Sequence, residues 1–322
     1  MRAAYAKSFD AENPLTGLVV GDRPEPSAQP GWSIVQVKAA SLNHHDLWTL
    51  RGVGIKAEQL PMTLGCDAAG IDTGTGAEVV VHGVISAPGW VGDETLDPGR
   101  SLLSEKHQGS LAEYVAVPTA NLIPKPAELT YAEAACLPTA WLTAYRMLFV
   151  NSSLRPGQTV LVQGATGGVA SACIVLARAA GLRVWATART EQKQATAVEL
   201  GAHQAFESGA RLPERVDAVM ETVGAVTWSH SLKSLRPGGQ LVISGATSGA
   251  MPPAELNRIF FLQLQVIGST MGTRAELADL ISLLVSTGLR PNIHRTLPLA
   301  EVADGLAAMA SGDLVGKIVI EP

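Results

Sequence analysis

With 322 residues and 47% hydrophobic content, the chain has material for two domains with separate cores. Its 24 basic and 29 acidic residues exclude a general attraction to nucleic acid or to an anionic membrane. Cys66, Cys136 and Cys173 are too few and too scattered for a disulfide framework, residues 1–10 lack the apolar core of a signal peptide, and no apolar run approaches membrane-spanning length; a soluble cytoplasmic protein is expected.

Residues 1 to about 122 hold short alternating runs, such as 32–37 and 77–81, separated by Gly and Pro clusters, and these predict a compact, mainly β domain. Within it, 86–103 is rich in Gly, Pro and acids and reads as a flexible excursion. The pattern turns helical over 129–150. Apolar runs at 159–163, 183–187, 218–222, 240–245 and 264–269 then alternate with helical stretches, the spacing of βαβ units around a parallel sheet. A helix over 299–310 and a strand over 317–320 close the chain. Cys136 and Cys173 read as core, Cys66 as a core or pocket residue, and Phe260 and Phe261 as helix core, subunit contact or pocket wall.

The strongest local signal is a strand, a glycine turn, a helix and a second strand between 160 and 189. Gly164, Gly167 and Ala170 fall on a three-residue repeat just after the first apolar run. Small residues there let the backbone approach a pyrophosphate, which sits on unpaired N–H groups at the helix start. Dinucleotide folds usually hold the ribose 2′-OH with an acid about 20 residues beyond such a turn. Here Ala188 stands in that place, followed by Arg189, Thr190 and Lys193. A carboxylate repels a 2′-phosphate, whereas an arginine pairs with it through charge-assisted hydrogen bonds, so NADPH is expected over NADH. The plainer reading of Arg189 and Lys193 is a solvated basic face.

Further motifs lie at 40–46 with Arg51 and Gly52, at 64–70, 109–115 and 137–145, and at 316–320. Together with the turn at Gly164, they make the chain resemble the medium-chain dehydrogenases/reductases over nearly its whole length, in the quinone oxidoreductase-like, zinc-independent branch. The resemblance implies an α/β protein: a GroES-like, mainly β catalytic domain over 1–122, completed by 292–322, and a Rossmann-type doubly wound parallel-sheet coenzyme domain over 123–291. It places the active site in the cleft between them. Family habit implies a homodimer or homotetramer joined near 264–269, with a small electrophilic molecule as substrate and neither nucleic acid nor membrane as partner.

Matched by motif, the three catalytic zinc-ligand positions of related alcohol dehydrogenases fall on Asn43, Cys66 and Thr139. Only one is a good ligand, where a catalytic site needs three, and 86–103 lacks the cysteines of a structural zinc loop. No metal is expected; the rival is a rearranged site of His44, His45, Cys66 and Asp67. Hydride addition to an isolated carbonyl calls for a Lewis acid, but conjugate reduction of an enone or quinone spreads the charge. The expectation is therefore an NADPH-dependent reductase of an activated alkene or quinone. The alternatives are a zinc-type alcohol or aldehyde dehydrogenase with a rearranged site, and an NADPH-binding protein without turnover.

The resemblance assigns residues as well. Asn43 faces nicotinamide and substrate as a donor to the substrate oxygen, and His45, at the place of a proton-relay hydroxyl, is the proton donor; their plainer roles are to satisfy a turn and to cap carbonyls. Trp48 replaces a tyrosine common in the branch. The cofactor is expected to meet Gly164, Thr166, Gly167, Gly168 and Val169 at the turn, and Arg189, Thr190 and Lys193 at the ribose. Thr143 lies near where the nicotinamide enters, Thr222, Val223, Gly245, Ala246, Ser269 and Met271 lie near strand ends around it, and Lys317 is expected to reach it from the closing strand, its plainer reading being a surface lysine beside a glycine turn.

Overall fold

The strand Trp32–Ser41 is the longest in the chain and buries its C-terminal half, because the small residues Ala39 and Ala40 admit neighbours on both sides. Around it the computed structural model, which describes residues 1–312 and 314–322, builds a seven-stranded sheet. Its order is Leu122–Pro124, Glu78–Val81, Ala68–Asp72, Trp32–Ser41, Lys317–Glu321 and Ile293–Pro298, with Tyr114–Pro118 also pairing with Trp32–Ser41. The closing strand enters antiparallel, with Ser41 opposite Val319 and Ala40 opposite Ile320. Val35, Val37, Val79, Val81, Val115, Ile318 and Ile320 supply one continuous core, joined by Leu306 from the helix Val302–Ser311.

The chain divides into one unit of Met1–Leu142 with Gly272–Pro322 and a second of Thr143–Met271. This moves the expected domain limits: 123–142 and 272–291 belong with the β-rich unit. Polar contacts hold them there. Tyr131 donates to Glu78 at 2.6 Å, Arg274 pairs with Glu94 at 2.5 Å, and Arg290 lies 3.5 Å from Glu133. The stretch 86–103 is also more structured than expected. Asp97, almost fully buried, accepts from the amides of Ala87 and Gly99 at 2.6 and 2.7 Å, and Ser101–Leu102 pairs with Val84–Ile85.

In the second unit a six-stranded parallel sheet runs Gln204–Glu207, Arg183–Ala188, Thr159–Val162, Val216–Glu221, Leu235–Ile243, Gln265–Gly268. Five of these strands follow the apolar runs. The edge strand Gln204–Glu207 was not anticipated, being only half-buried and bounded by polar residues. Strand order reverses on either side of Thr159–Val162, the Rossmann-type arrangement in which ligands gather at the carboxyl ends. Leu161, Val219, Leu241 and Trp185 centre the core. Among the described residues, no helix is long and apolar enough to cross a membrane.

Candidate active site

A closed polar cluster forms in the first unit where the end of Trp32–Ser41 meets the closing strand. The carboxylate of Asp67, fully buried, is its centre: it accepts from Ser41 Oγ at 2.7 Å, Asn43 Nδ2 at 2.8 Å and Thr139 Oγ1 at 2.5 Å. Lys317, only 3% exposed, lies 3.4 Å from the same carboxylate and donates at 2.6 Å to both the Leu42 carbonyl and Asn43 Oδ1. Cys66 completes the group, with Thr139 Oγ1 at 3.4 Å and Asn43 Nδ2 at 3.6 Å. Burial, with Asp67 and Asp46 nearby, pushes its thiol well above the usual range. Thr139 sits in a π-helical turn, Leu137–Trp141, a distortion often found at functional sites.

Two expected site residues have partners inside the protein. Asn43 opens the helix His44–Leu50 as its cap, and its two amide hydrogens already serve Asp67 and, at 3.2 Å, the Ser41 carbonyl. Its amide is thus engaged inside the protein. Lys317 likewise does not extend outward: a buried ammonium needs partners, and three internal acceptors supply them. Removing one side of such a buried pair generally costs about 3–5 kcal/mol.

The imidazole of His45 lies between two groups, Nε2 at 3.3 Å from Glu105 and Nδ1 at 3.5 Å from Ser104. Burial works against ionisation of Glu105, but bonds from His45 and the Leu102 amide outweigh it and lower its pKa. Next to it, desolvation and the charges of Lys317 and Arg51 lower the pKa of His44. Asp46, buried beneath, accepts from the amides of Asn43 and Gly65, both at 2.8 Å; desolvation raises its pKa against those bonds. Sequence reasoning missed Ser41, Asp46 and Glu105. The capping spacing from Asn43 to Asp46 was visible; the Glu105 contact, across sixty positions, was not.

In the second unit the expected cofactor residues gather at the carboxyl ends of the strands. Gly164 has φ +70°, and a side chain there would meet Val223 Cγ2 at 2.9 Å, so the turns after two adjacent strands abut at the switch point. Gly167 precedes the helix Gly168–Ala179 with no side-chain cap, which leaves its first N–H groups, those of Gly168 and Val169 included, open to an anion. Arg189 is exposed just beyond Arg183–Ala188; Thr190 caps the next helix, its hydroxyl accepting from the Lys193 amide at 3.3 Å. Thr222 and Val223 follow Val216–Glu221, Gly245 and Ala246 follow Leu235–Ile243, and Thr143 is buried at the unit's start. Met271 has φ +47°. The hydroxyl of Ser269 is buried with no hydrogen-bond partner among the described residues, as suits a group awaiting a ligand. Behind the turn, the fully buried Glu221 accepts from the Val223 and Gly224 amides at 2.7 and 3.1 Å and from Ser231 at 2.5 Å. These features fit a pyrophosphate-bearing nicotinamide cofactor.

Two family models match the sequence: the alcohol dehydrogenase GroES-like domain over residues 29–127 and the zinc-binding dehydrogenase over 168–286. A crystal structure of an NAD-dependent alcohol dehydrogenase is 32% identical and superposes with a TM-score of 0.91, each chain covered completely. The quinone oxidoreductase of Lama guanicoe is 27% identical over 99% of this chain and 97% of its own. The acryloyl-coenzyme A reductase of Sulfurisphaera tokodaii is 26% identical over 98% of this chain and all of its own. The zinc that one family description names does not fit the donor set at Asn43, Cys66 and Thr139: an amide whose nitrogen side faces the sulfur, a single thiol and a hydroxyl already donating to Asp67. Among the described residues no three of His, Cys, Asp and Glu converge in a way that would hold a metal, the set His44, His45, Cys66 and Asp67 included.

Proposed function

Since this chain belongs to the medium-chain dehydrogenase/reductase family of oxidoreductases, we propose that it transfers hydride from NADPH to an activated alkene or a quinone without a catalytic metal. The observation that carries this reading is the hydrogen-bonded set Asn43, Cys66 and Thr139 around Asp67, which offers no Lewis acid to an isolated carbonyl. Reduction across a conjugated system asks less of the protein, because the enolate or hydroquinone product spreads its own charge. Nicotinamide supplies the hydride when bound. The chain's own groups hold the pyrophosphate on the Gly168–Ala179 helix start, pair Arg189 with the 2′-phosphate, and present His45, steadied by Glu105 and Ser104, as proton donor. A relative named as a quinone oxidoreductase and one named as an acryloyl-coenzyme A reductase support this substrate class.

One observation favours NADH instead. Glu207 stands opposite Ala188 in the neighbouring strand and offers a carboxylate near the ribose end. Oxidation of NADPH and NADH with a panel of quinones, enals, enones, enoyl thioesters and simple aldehydes decides among these readings. Turnover of the conjugated acceptors with NADPH is expected. Activity confined to simple aldehydes overturns the substrate class, and binding without turnover across the panel leaves a cofactor-binding protein. We also propose that the enzyme works in the cytoplasm as a homodimer or homotetramer joined along the unpaired Gln265–Gly268 edge, where Val266, Phe260 and Phe261 are exposed.

A further inference from the structure

We propose that the Lys317 ammonium is the resident cation of the buried cluster in the first unit. It does the electrostatic work that a metal ion does among metal ligands, and it makes Lys317 a positioning residue for Asn43 and Asp67. Three acceptors surround Nζ: the Leu42 carbonyl at 2.6 Å, Asn43 Oδ1 at 2.6 Å and Asp67 Oδ2 at 3.4 Å. A neutral amine has two N–H groups, so three acceptors call for the charged form. Asp67 in turn receives only donors, from Ser41, Asn43, Thr139 and Lys317, as a buried carboxylate requires.

The fold delivers this cation over a long sequence distance. Gly316, at φ +83°, turns the chain where any side chain would collide with the Asn292 carbonyl. The strand Lys317–Glu321 then runs antiparallel to Trp32–Ser41 and sets Nζ beside a residue 274 positions away. A divalent ion entering here would have to displace the ammonium and strip Asp67 of its donors. The ammonium also fixes which way the Asn43 amide points: with Oδ1 held by Lys317, Nδ2 is directed at Asp67 and Cys66.

The turnover part of this inference rests on the proposed reductase activity; the metal and stability parts do not. The test compares the full-length wild type with Lys317→Met, Lys317→Arg and the double variant Asp67→Asn/Lys317→Met. Each is measured for Tm, for tightly held metal after incubation with zinc and dialysis, for NADPH binding by fluorescence, and for kcat and KM with an acceptor the wild type reduces. The wild type is expected to retain no stoichiometric zinc. Lys317→Met should lower Tm, with Asp67→Asn/Lys317→Met regaining part of the loss because the stranded carboxylate is gone. In Lys317→Met, kcat should fall by about 100-fold with NADPH binding kept, because Asn43 caps the helix that carries His45 and a misplaced catalytic group costs on that scale, and Lys317→Arg should recover part of it. One zinc per wild-type chain overturns the inference. So does a Lys317→Met variant with wild-type Tm and kcat, or a double variant less stable than Lys317→Met. Should the wild type reduce no acceptor, the proposed function fails while Tm and metal content still decide this one.

Discussion

Arg189 and His82 show how far one side chain can be read from its surroundings. Arg189 is exposed at the end of its strand and follows an alanine where an acid is usual, the placement behind its proposed pairing with a 2′-phosphate. Replacing it by Ala should lower the NADPH over NADH preference in kcat/KM by about 10- to 100-fold, the equivalent of roughly 1.5–3 kcal/mol for a charge-assisted bond; an unchanged ratio places the discrimination elsewhere, Glu207 being next. His82 is fully buried, with Nε2 at 2.8 Å from the Gly272 carbonyl. Burial pushes its pKa down, against the pull of that carbonyl and of Glu94. A histidine depressed by folding binds its proton more readily in the unfolded chain. Its contribution to stability is therefore complete above about pH 6.5 and is lost as pH falls through the folded value. Across that window Tm should drop with acid in the wild type and drop less in His82→Gln, where no imidazole titrates; parallel Tm profiles would exclude His82 as a source of acid sensitivity.

Among the elements, the turn at Gly164 joins sequence to function most directly. Its positive φ and its approach to Val223 both require glycine, so Gly164→Val must move the turn that carries the helix start. The KM for NADPH should rise about tenfold or more, with Tm lowered by backbone strain of about 1–3 kcal/mol; a variant with wild-type KM would show that the turn does not cradle the cofactor. Elements of this kind were legible because glycine spacing and apolar runs report local backbone geometry. The strands at 159–163, 183–187, 218–222, 240–245 and 264–269 were found on the same grounds and lie within one or two residues of the observed ones, apart from Leu235–Ile243, which starts earlier. The edge strand Gln204–Glu207 carried no apolar run to find. The order in 86–103 was hidden because it depends on Asp97 gathering distant amides, and an acid in a Gly/Pro-rich stretch otherwise reads as solvated.

For the whole molecule, the unpaired edge at Gln265–Gly268 is the feature with the largest consequence. Val266 is 42% exposed there, and Phe260 and Phe261 are exposed close by in sequence. Joining two such edges would pair their backbone groups and cover the apolar side chains. If the proposed oligomer forms along this edge, replacing Val266 by Lys should leave a monomer on size-exclusion chromatography with light scattering; a wild type that is already monomeric denies the interface, and a variant that stays oligomeric puts it elsewhere.

By itself the sequence determined the two-part α/β architecture and the glycine turn, since each is written in neighbouring residues or in a motif. Only the tertiary structure decided where Lys317 points, that the Asn43 amide is committed, and that Glu105 steadies His45. Those outcomes depend on side chains far apart in the chain, and on the rule that a charge or amide folded into the interior must find its partners there.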